Sequence, residues 1–311
     1  MHVEILRSID RDRVRDLQQR GELFWLDLVD PDPDELAAVQ DLVTIHPLAL
    51  QASREFGQRV KFDTYDKSAL LVCYGATSRQ DGRPRLVEVH MHLSKDALVT
   101  ITREPLPAVI DVRHAFAEGI ATSHPVYQVL ETLSMSLLRS LDRFDDAIDS
   151  LEEELVERTT TEHRQRIFRL RRRLARMRRI VLPQRDLIVT VQDGLIEATA
   201  HDDRGFARER LRDIGGHLDH AAGLIDSYRE QLQGLLDLYL AEVSNGMNQV
   251  MKRLTLIATV FLPLTFLTGF FGMNFGWLVD GLAPAWTFWV FGIGSLVVST
   301  LAVAVYLRRR G

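Results

Sequence analysis

The chain has 311 residues, 46% hydrophobic and 26% charged, with a formal net charge of −5. That length suggests two domains with a buried core, and the acidic balance argues against a nucleic-acid partner, whose binder would present a basic surface. A single cysteine, Cys73, excludes an internal disulfide framework.

Residues 1–123 predict an α+β domain. Short runs rich in β-branched and aromatic residues at 23–29, 69–74, 86–93 and 97–102 alternate with polar turns such as 79–84. Pro31-Asp32-Pro33-Asp34-Glu35 opens a helix, with proline and acids where a helix start favours them. His90-Met91-His92 sets two imidazoles on one face of a strand, a spacing that can hold zinc. With no cysteine or third histidine nearby, ordinary sheet residues are the better reading. No Walker A run and no Gly-x-Ser-x-Gly occurs, and Cys73 lies inside an apolar run where a reactive thiolate is disfavoured. The chain is therefore not expected to be an enzyme or to carry an organic cofactor.

From residue 124 the pattern turns helical. Leu130, Leu133, Leu137, Leu141, Phe144, Ile148, Leu151 and Leu155 recur at steps of three and four. Thr159-Thr160-Thr161 is a turn, and residues 162–199 return as a second helix, giving a helical hairpin over 124–200. Nine arginines fall within residues 164–179. They read as a solvated face pairing with the acids at 152–157 across the hairpin rather than as a nucleic-acid or lipid site.

The stalk follows over residues 201–253. Leu211, Ile214, Leu218, Ala221, Ile225, Tyr228, Leu232, Leu235 and Tyr239 alternate steps of three and four, the seam of a coiled coil or tight bundle. No proline interrupts before Pro263, so one helix of about 60 residues, roughly 90 Å long, can run on into the next segment.

Residues 254–279 and 281–307 contain no Asp, Glu, Lys or Arg. About 20 apolar residues cross a bilayer core, so two spans are expected, at 254–274 and 284–307. A loop, 275–283, joins them, and a basic tail, 308–311, follows. Lys252 and Arg253 precede the first span, Arg308, Arg309 and Arg310 follow the second, and the loop has no Lys or Arg. The positive-inside rule then puts both termini in the cytosol and the loop outside. No long apolar stretch marks a signal peptide at the N-terminus.

On the first span, Asn248, Met251, Leu254, Ala258, Leu262, Thr265 and Gly269 share one helical face. Several copies around an axis would turn that stripe into amide rings and a hydrophobic constriction able to gate by dewetting; a lipid-facing or packing stripe has the same period. The stripe ends at Gly272-Met273-Asn274. Glycine carbonyls and an asparagine amide offer neutral oxygens suited to magnesium that keeps its waters, although Gly-x-Asn is also a common helix end.

Phe271-Gly272-Met273-Asn274-Phe275-Gly276, closing the first of two C-terminal spans, resembles the CorA family of magnesium transporters. Met247-Asn248-Gln249-Val250-Met251-Lys252, Ala258-Thr259 and Leu262-Pro263-Leu264-Thr265-Phe266 are similar to that family's first span, and Trp25-Leu26-Asp27, His46-Pro47-Leu48 and Arg103-Glu104-Pro105 to its cytosolic domain. The resemblance implies a homopentamer in the plasma or bacterial inner membrane, in contact with lipid, self and divalent cations. Its selectivity filter would be Gly272, Met273 and Asn274. Asn248, Met251, Leu254, Ala258, Leu262, Thr265 and Gly269 would line the pore, with Met251 and Leu254 as the gate. Arg308, Arg309 and Arg310 would form a basic ring, and Asp237, off the heptad seam, would bind regulatory Mg2+. The cargo implied is Mg2+, with Co2+ or Ni2+ as further ions. The loop at 277–282 lacks the family's common Met-Pro-Glu-Leu, leaving Asp280 its only acid, and Leu262 stands where methionine is frequent. Two alternatives remain at this point: a zinc transporter of the ZntB type, and a membrane signalling or scaffold protein without flux.

Overall fold

The computed structural model describes residues 3–78, 84–121, 123–199, 204–273, 276 and 285–310. They divide into two compact units, Met1–Leu236 and Asp237–Gly311.

The first unit is built on a six-stranded sheet in the order β1-β2-β6-β5-β4-β3. Its strands are β1 (Glu4–Leu6), β2 (Phe24–Val29), β3 (Lys61–Thr64), β4 (Ser68–Ser78), β5 (Pro84–Ser94) and β6 (Ala97–Thr102). β1, β2 and β6 run parallel, and β3 to β6 pair antiparallel. The expected runs at 69–74 and 86–93 both extend further, while 97–102 matches β6. Most of the expected turn at 79–84 lies outside the described residues; Pro84 opens β5.

Three helices, α1 (Arg11–Arg20), α2 (Pro33–Leu42) and α3 (Pro47–Arg54), cover one sheet face. Local chemistry sets their starts. Asp32 Oδ1 accepts from the Glu35 amide at 2.7 Å, and Glu35 Oε2 from the Asp32 amide at 3.0 Å, a reciprocal capping box that begins α2 at Pro33. Val14, Leu17, Leu36, Val39 and Leu50 meet Leu26, Leu70, Val72, Val99 and Ile101 in a single core. The opposite face is covered by α4 (Pro107–Ala117) and α5 (Pro125–Glu157). Trp25, fully buried, meets Phe116 of α4 edge to face, with ring centroids 6.1 Å apart. A sheet buried on both faces explains why its strands read as continuous apolar runs.

Gly75 fixes how closely β4 approaches α5. A Cβ there would stand 2.6 Å from Leu133 Cδ2 and 3.1 Å from Ser136 Oγ, so any larger residue requires Leu133 to shift. β3 pairs with β4 only as far as Val72, leaving the rest of β4 as an open edge. Helix side chains satisfy it. Gln184 of α6 (Thr161–Thr190) accepts from the Tyr74 amide at 2.8 Å and donates to its carbonyl at 3.1 Å, and Ser136 of α5 accepts from the Ala76 amide at 2.9 Å.

α5 and α6 form the expected hairpin, with every residue of the predicted α5 seam buried. The second helix is not continuous to 199. Val191 leaves helical geometry, and a separate α7 (Gln192–Ala198) follows, placed so that a Cβ on Gly194 would lie 3.1 Å from Phe62 of β3. Packing against the sheet, which local propensity does not record, decides that break. Of the α6 arginines, Arg166 pairs with Glu154 as expected across the hairpin. Arg178 instead reaches Asp226 at 3.3 Å, and Arg185, beyond the run, reaches Asp219 at 3.5 Å. Both acids belong to the long helix α8 (Arg204–Phe271), 68 residues without interruption. Its predicted seam from Leu211 to Tyr239 is buried throughout.

Candidate functional site: the exposed face of α8

The part of α8 in the second unit carries the candidate pore residues. It contains a window with mean hydropathy 1.6 and none of it buried, and among the described residues it is the one helix long and apolar enough to cross a membrane. Leu256, Val260, Pro263, Leu264 and Leu267 are half-buried on one side. Asn248, Met251, Leu254, Ala258, Leu262, Thr265 and Gly269 are all exposed and fall on the opposite side of the helix. Leu254 is 59% and Leu262 71% exposed. A continuous apolar stripe left bare at that level requires lipid or other protein to cover it.

Hydroxyls along this segment bond backward into their own helix. Thr259 Oγ1 donates to the Thr255 carbonyl at 2.7 Å and Thr265 Oγ1 to the Phe261 carbonyl at 2.8 Å. With its hydrogen committed to the backbone, the Thr265 oxygen offers lone pairs outward, the polarity that suits a cation. Pro263 lies inside the helix and has no N–H, so the Thr259 carbonyl lacks its partner one turn on.

The helix closes at the predicted motif. The Gly272 amide donates to the Thr268 carbonyl at 3.0 Å and the Met273 amide to the Phe270 carbonyl at 3.3 Å. A Cβ on Gly272 would meet the Thr268 carbonyl oxygen at 3.1 Å, so glycine permits the tight finish. Met273 is 39% exposed. Asn274, the third residue of the expected filter, and Asp280 of the expected loop lie outside the described residues.

The C-terminal segment is helical in three pieces: a turn at Ala285–Thr287, a π-helical stretch at Phe288–Gly294 and α9 (Ser295–Arg310). The π stretch Phe288–Gly294 leads directly into α9. Arg308, Arg309 and Arg310 close α9. Asp237 is exposed, on the side of α8 turned away from buried Leu235 and Tyr239.

His90 and His92 lie in the core under α3, 0% and 1% exposed, and both ring systems bond Ser53 Oγ. Among the described residues no three His, Cys, Asp or Glu side chains gather closely enough to hold a metal. Burial pushes the Cys73 thiol far above its usual range, so it stays a thiol.

One network escaped sequence reasoning. Asp27, 4% exposed, accepts from Thr100 Oγ1 at 2.6 Å and from Arg113 Nη1 at 2.6 Å, while Trp25 Nε1 donates to the same Thr100 hydroxyl at 2.9 Å. A lone acid inside the apolar run Phe24–Val29 was the available signal, since a buried carboxylate needs partners.

Comparison with known proteins gives a consistent family. Residues 20–309 match the family model described as CorA-like Mg2+ transporter protein. The cobalt/magnesium transport protein CorA of Thermotoga maritima is 30% identical over 287 residues, covering 89% of this chain and 79% of that protein. The zinc transport protein ZntB of Yersinia enterocolitica is 26% identical over 305 residues, covering 97% of this chain and 90% of that protein. Among solved structures, the complete CorA magnesium transporter of Methanocaldococcus jannaschii superposes with a TM-score of 0.82 at 22% identity, over 92% of this chain and 90% of that one.

Proposed function

The chain belongs to the family of CorA-like Mg2+ transporter proteins, and we propose that it passes hydrated magnesium through a central pore formed by several copies of α8. Membership makes it a transporter of divalent cations rather than an enzyme. The observation that carries the finer reading is the bare stripe from Asn248 to Gly269, turned away from the half-buried side of the same helix and ending at Gly272. In a homopentamer of the kind the motif resemblance implies, the stripe faces the axis. Asn248 gives an inner amide ring, Met251 and Leu254 the hydrophobic gate, and Thr265 a ring of lone pairs. Gly272, Met273 and Asn274 form the outer filter.

Such a filter offers neutral oxygens, which suits an ion that dehydrates reluctantly and crosses with waters attached. Cobalt and nickel, similar in charge and size, are the further cargo. The segment 284–307 supplies the second span, both termini face the cytosol, and Arg308 to Arg310 gather at the inner surface of the plasma or inner membrane. The membrane potential drives entry with about 2.3 kcal/mol per charge per 100 mV, so about 4.6 kcal/mol for a divalent cation. Asp237 binds cytosolic Mg2+ between subunits and holds the pore closed; on depletion the uncovered acids repel and free the stalk helices.

Zinc is the second reading, favoured by one observation: a relative named as a zinc transporter matches over 97% of this chain. Flux into proteoliposomes with magnesium and zinc reporters separates the two. Magnesium influx, lost in Asn274→Ala and freed from internal-magnesium inhibition in Asp237→Ala, is the expected result. Zinc without magnesium would transfer the filter to the second reading, and no flux of either ion in the intact protein would favour a non-conducting scaffold. An Asp237→Ala channel as magnesium-sensitive as the parent would remove the sensor assignment alone.

A further inference from the structure

β5 carries Glu88, His90 and His92 toward the α1–α3 face of the sheet, where an apolar core would be expected. Ser53 Oγ lies 2.8 Å from His90 Nδ1 and 2.7 Å from His92 Nε2, and His90 Nε2 lies 2.7 Å from Glu88 Oε1. Ser53, His90 and His92 are each buried.

One set of tautomers lets every bond run the same way. The Glu88 carboxylate accepts from the Gly57 amide at 2.6 Å and the Gln58 amide at 3.0 Å, so it takes the His90 Nε2 hydrogen as well. With His90 in its Nε2–H tautomer, Nδ1 accepts the Ser53 hydroxyl hydrogen. Ser53, having donated, accepts from His92 Nε2–H. His92 Nδ1 is left bare, and it has no partner. The result is a one-way chain, His92 to Ser53 to His90 to Glu88, in which His92 is neutral. A further proton on His92 would place a charged, unpartnered N–H in the core.

The far end of this chain reaches the helices. Glu88 holds Gly57 and Gln58, the Gln58 carbonyl accepts from the Tyr74 hydroxyl, and the Tyr74 backbone is clasped by Gln184 of α6. We propose that the Ser53–His90–His92–Glu88 network is an acid-released clamp: with His92 neutral it fastens the 55–58 loop and the Tyr74–Gln184 junction, and proton uptake at His92 opens both.

The titratable and charged groups around the two rings are Glu88 on β5, bonded to His90, Tyr74 on β4, paired across from Glu88, and Arg103 after β6, whose guanidinium lies 4.7 Å over the Phe56 ring. Phe56 in turn stands 4.8 Å from His90. α3 contributes only the Ser53 hydroxyl. Burial first, and His90 second, hold His92 down to about 3 against an ordinary 6.5. A group whose closed-state value is depressed favours the closed form fully above its ordinary value and progressively less as pH falls. Opening therefore grows by up to about tenfold per pH unit between about 6.5 and about 3. Burial raises Glu88, but its bonds from His90, Gly57 and Gln58 outweigh this and hold it below its usual range, so its contribution is lost only at lower pH.

Amide hydrogen exchange of the full chain in detergent, from about pH 7 to about pH 4.5 and corrected for intrinsic exchange, tests the clamp. Protection of peptides covering 53–60 and Gln184 should fall by up to about tenfold per pH unit, while β2 keeps its protection. In His92→Gln, whose amide can still donate to Ser53 but does not titrate, the slope should vanish and neutral-pH protection should remain. Ser53→Ala should lose loop protection already at neutral pH. A slope that persists in His92→Gln, a fall shared equally by β2, or parental protection in Ser53→Ala would each overturn the proposal.

Discussion

Leu218 and Leu254 are the same residue type on one uninterrupted helix, yet the first is 0% exposed and the second 59%. Leu218 belongs to a narrow heptad seam whose other side is polar, and its own chain covers it. Leu254 belongs to a segment that is apolar almost all round, and its own chain leaves it bare. A helix of the first kind folds by burying a stripe in water; one of the second needs a different solvent or other copies of itself. Hydrophobicity thus has two meanings along α8. In the first unit it stabilises the fold, and in the second it leaves an apolar surface that lipid or other protein must cover.

Substitutions test how sharp that division is. Leu218→Ala removes methyl groups from a fully packed seam and should cost about 2–5 kcal/mol, read from the urea midpoint of the first unit. Gly75→Ala drives a methyl group to 2.6 Å from Leu133 and should cost about 1–3 kcal/mol in the same assay, since the buried Leu133 side chain has to shift in a packed core. Leu254→Ala should leave that midpoint within about 0.5 kcal/mol, because Leu254 lies outside the first unit and is 59% exposed. Its effect should appear in transport instead, as leak under high internal magnesium. A leak-free Leu254→Ala protein with a lowered midpoint would erase the contrast between the two halves of α8.

Much of this architecture was legible beforehand. The capping box at Asp32 and Glu35, the seams of α5 and α8, and the charge-free stretch after Arg253 are signals written within a few residues or at a fixed period. The candidate site was legible as a stripe and a motif for the same reason. The polar contacts that lock the first unit were not. Gln184 lies 110 residues from Tyr74, and Thr100 lies 73 from Asp27. Neither residue type announces such a partner. The α6 arginines looked as if they all served the hairpin; Arg178 reaches α8 instead, because a third helix offers acids that adjacency in sequence does not reveal.

The sequence by itself determined where the buried seams of α5 and α8 run, where a charge-free apolar stretch follows and which family motif closes α8, since periodicity, charge and turn chemistry are local. Only the tertiary structure decided that α6 breaks at Val191, that Gln184 closes the open edge of β4, and that His90 and His92 share one serine rather than a metal. Those outcomes depend on which surfaces meet after folding, where each buried donor and acceptor must find a partner whatever its distance along the chain.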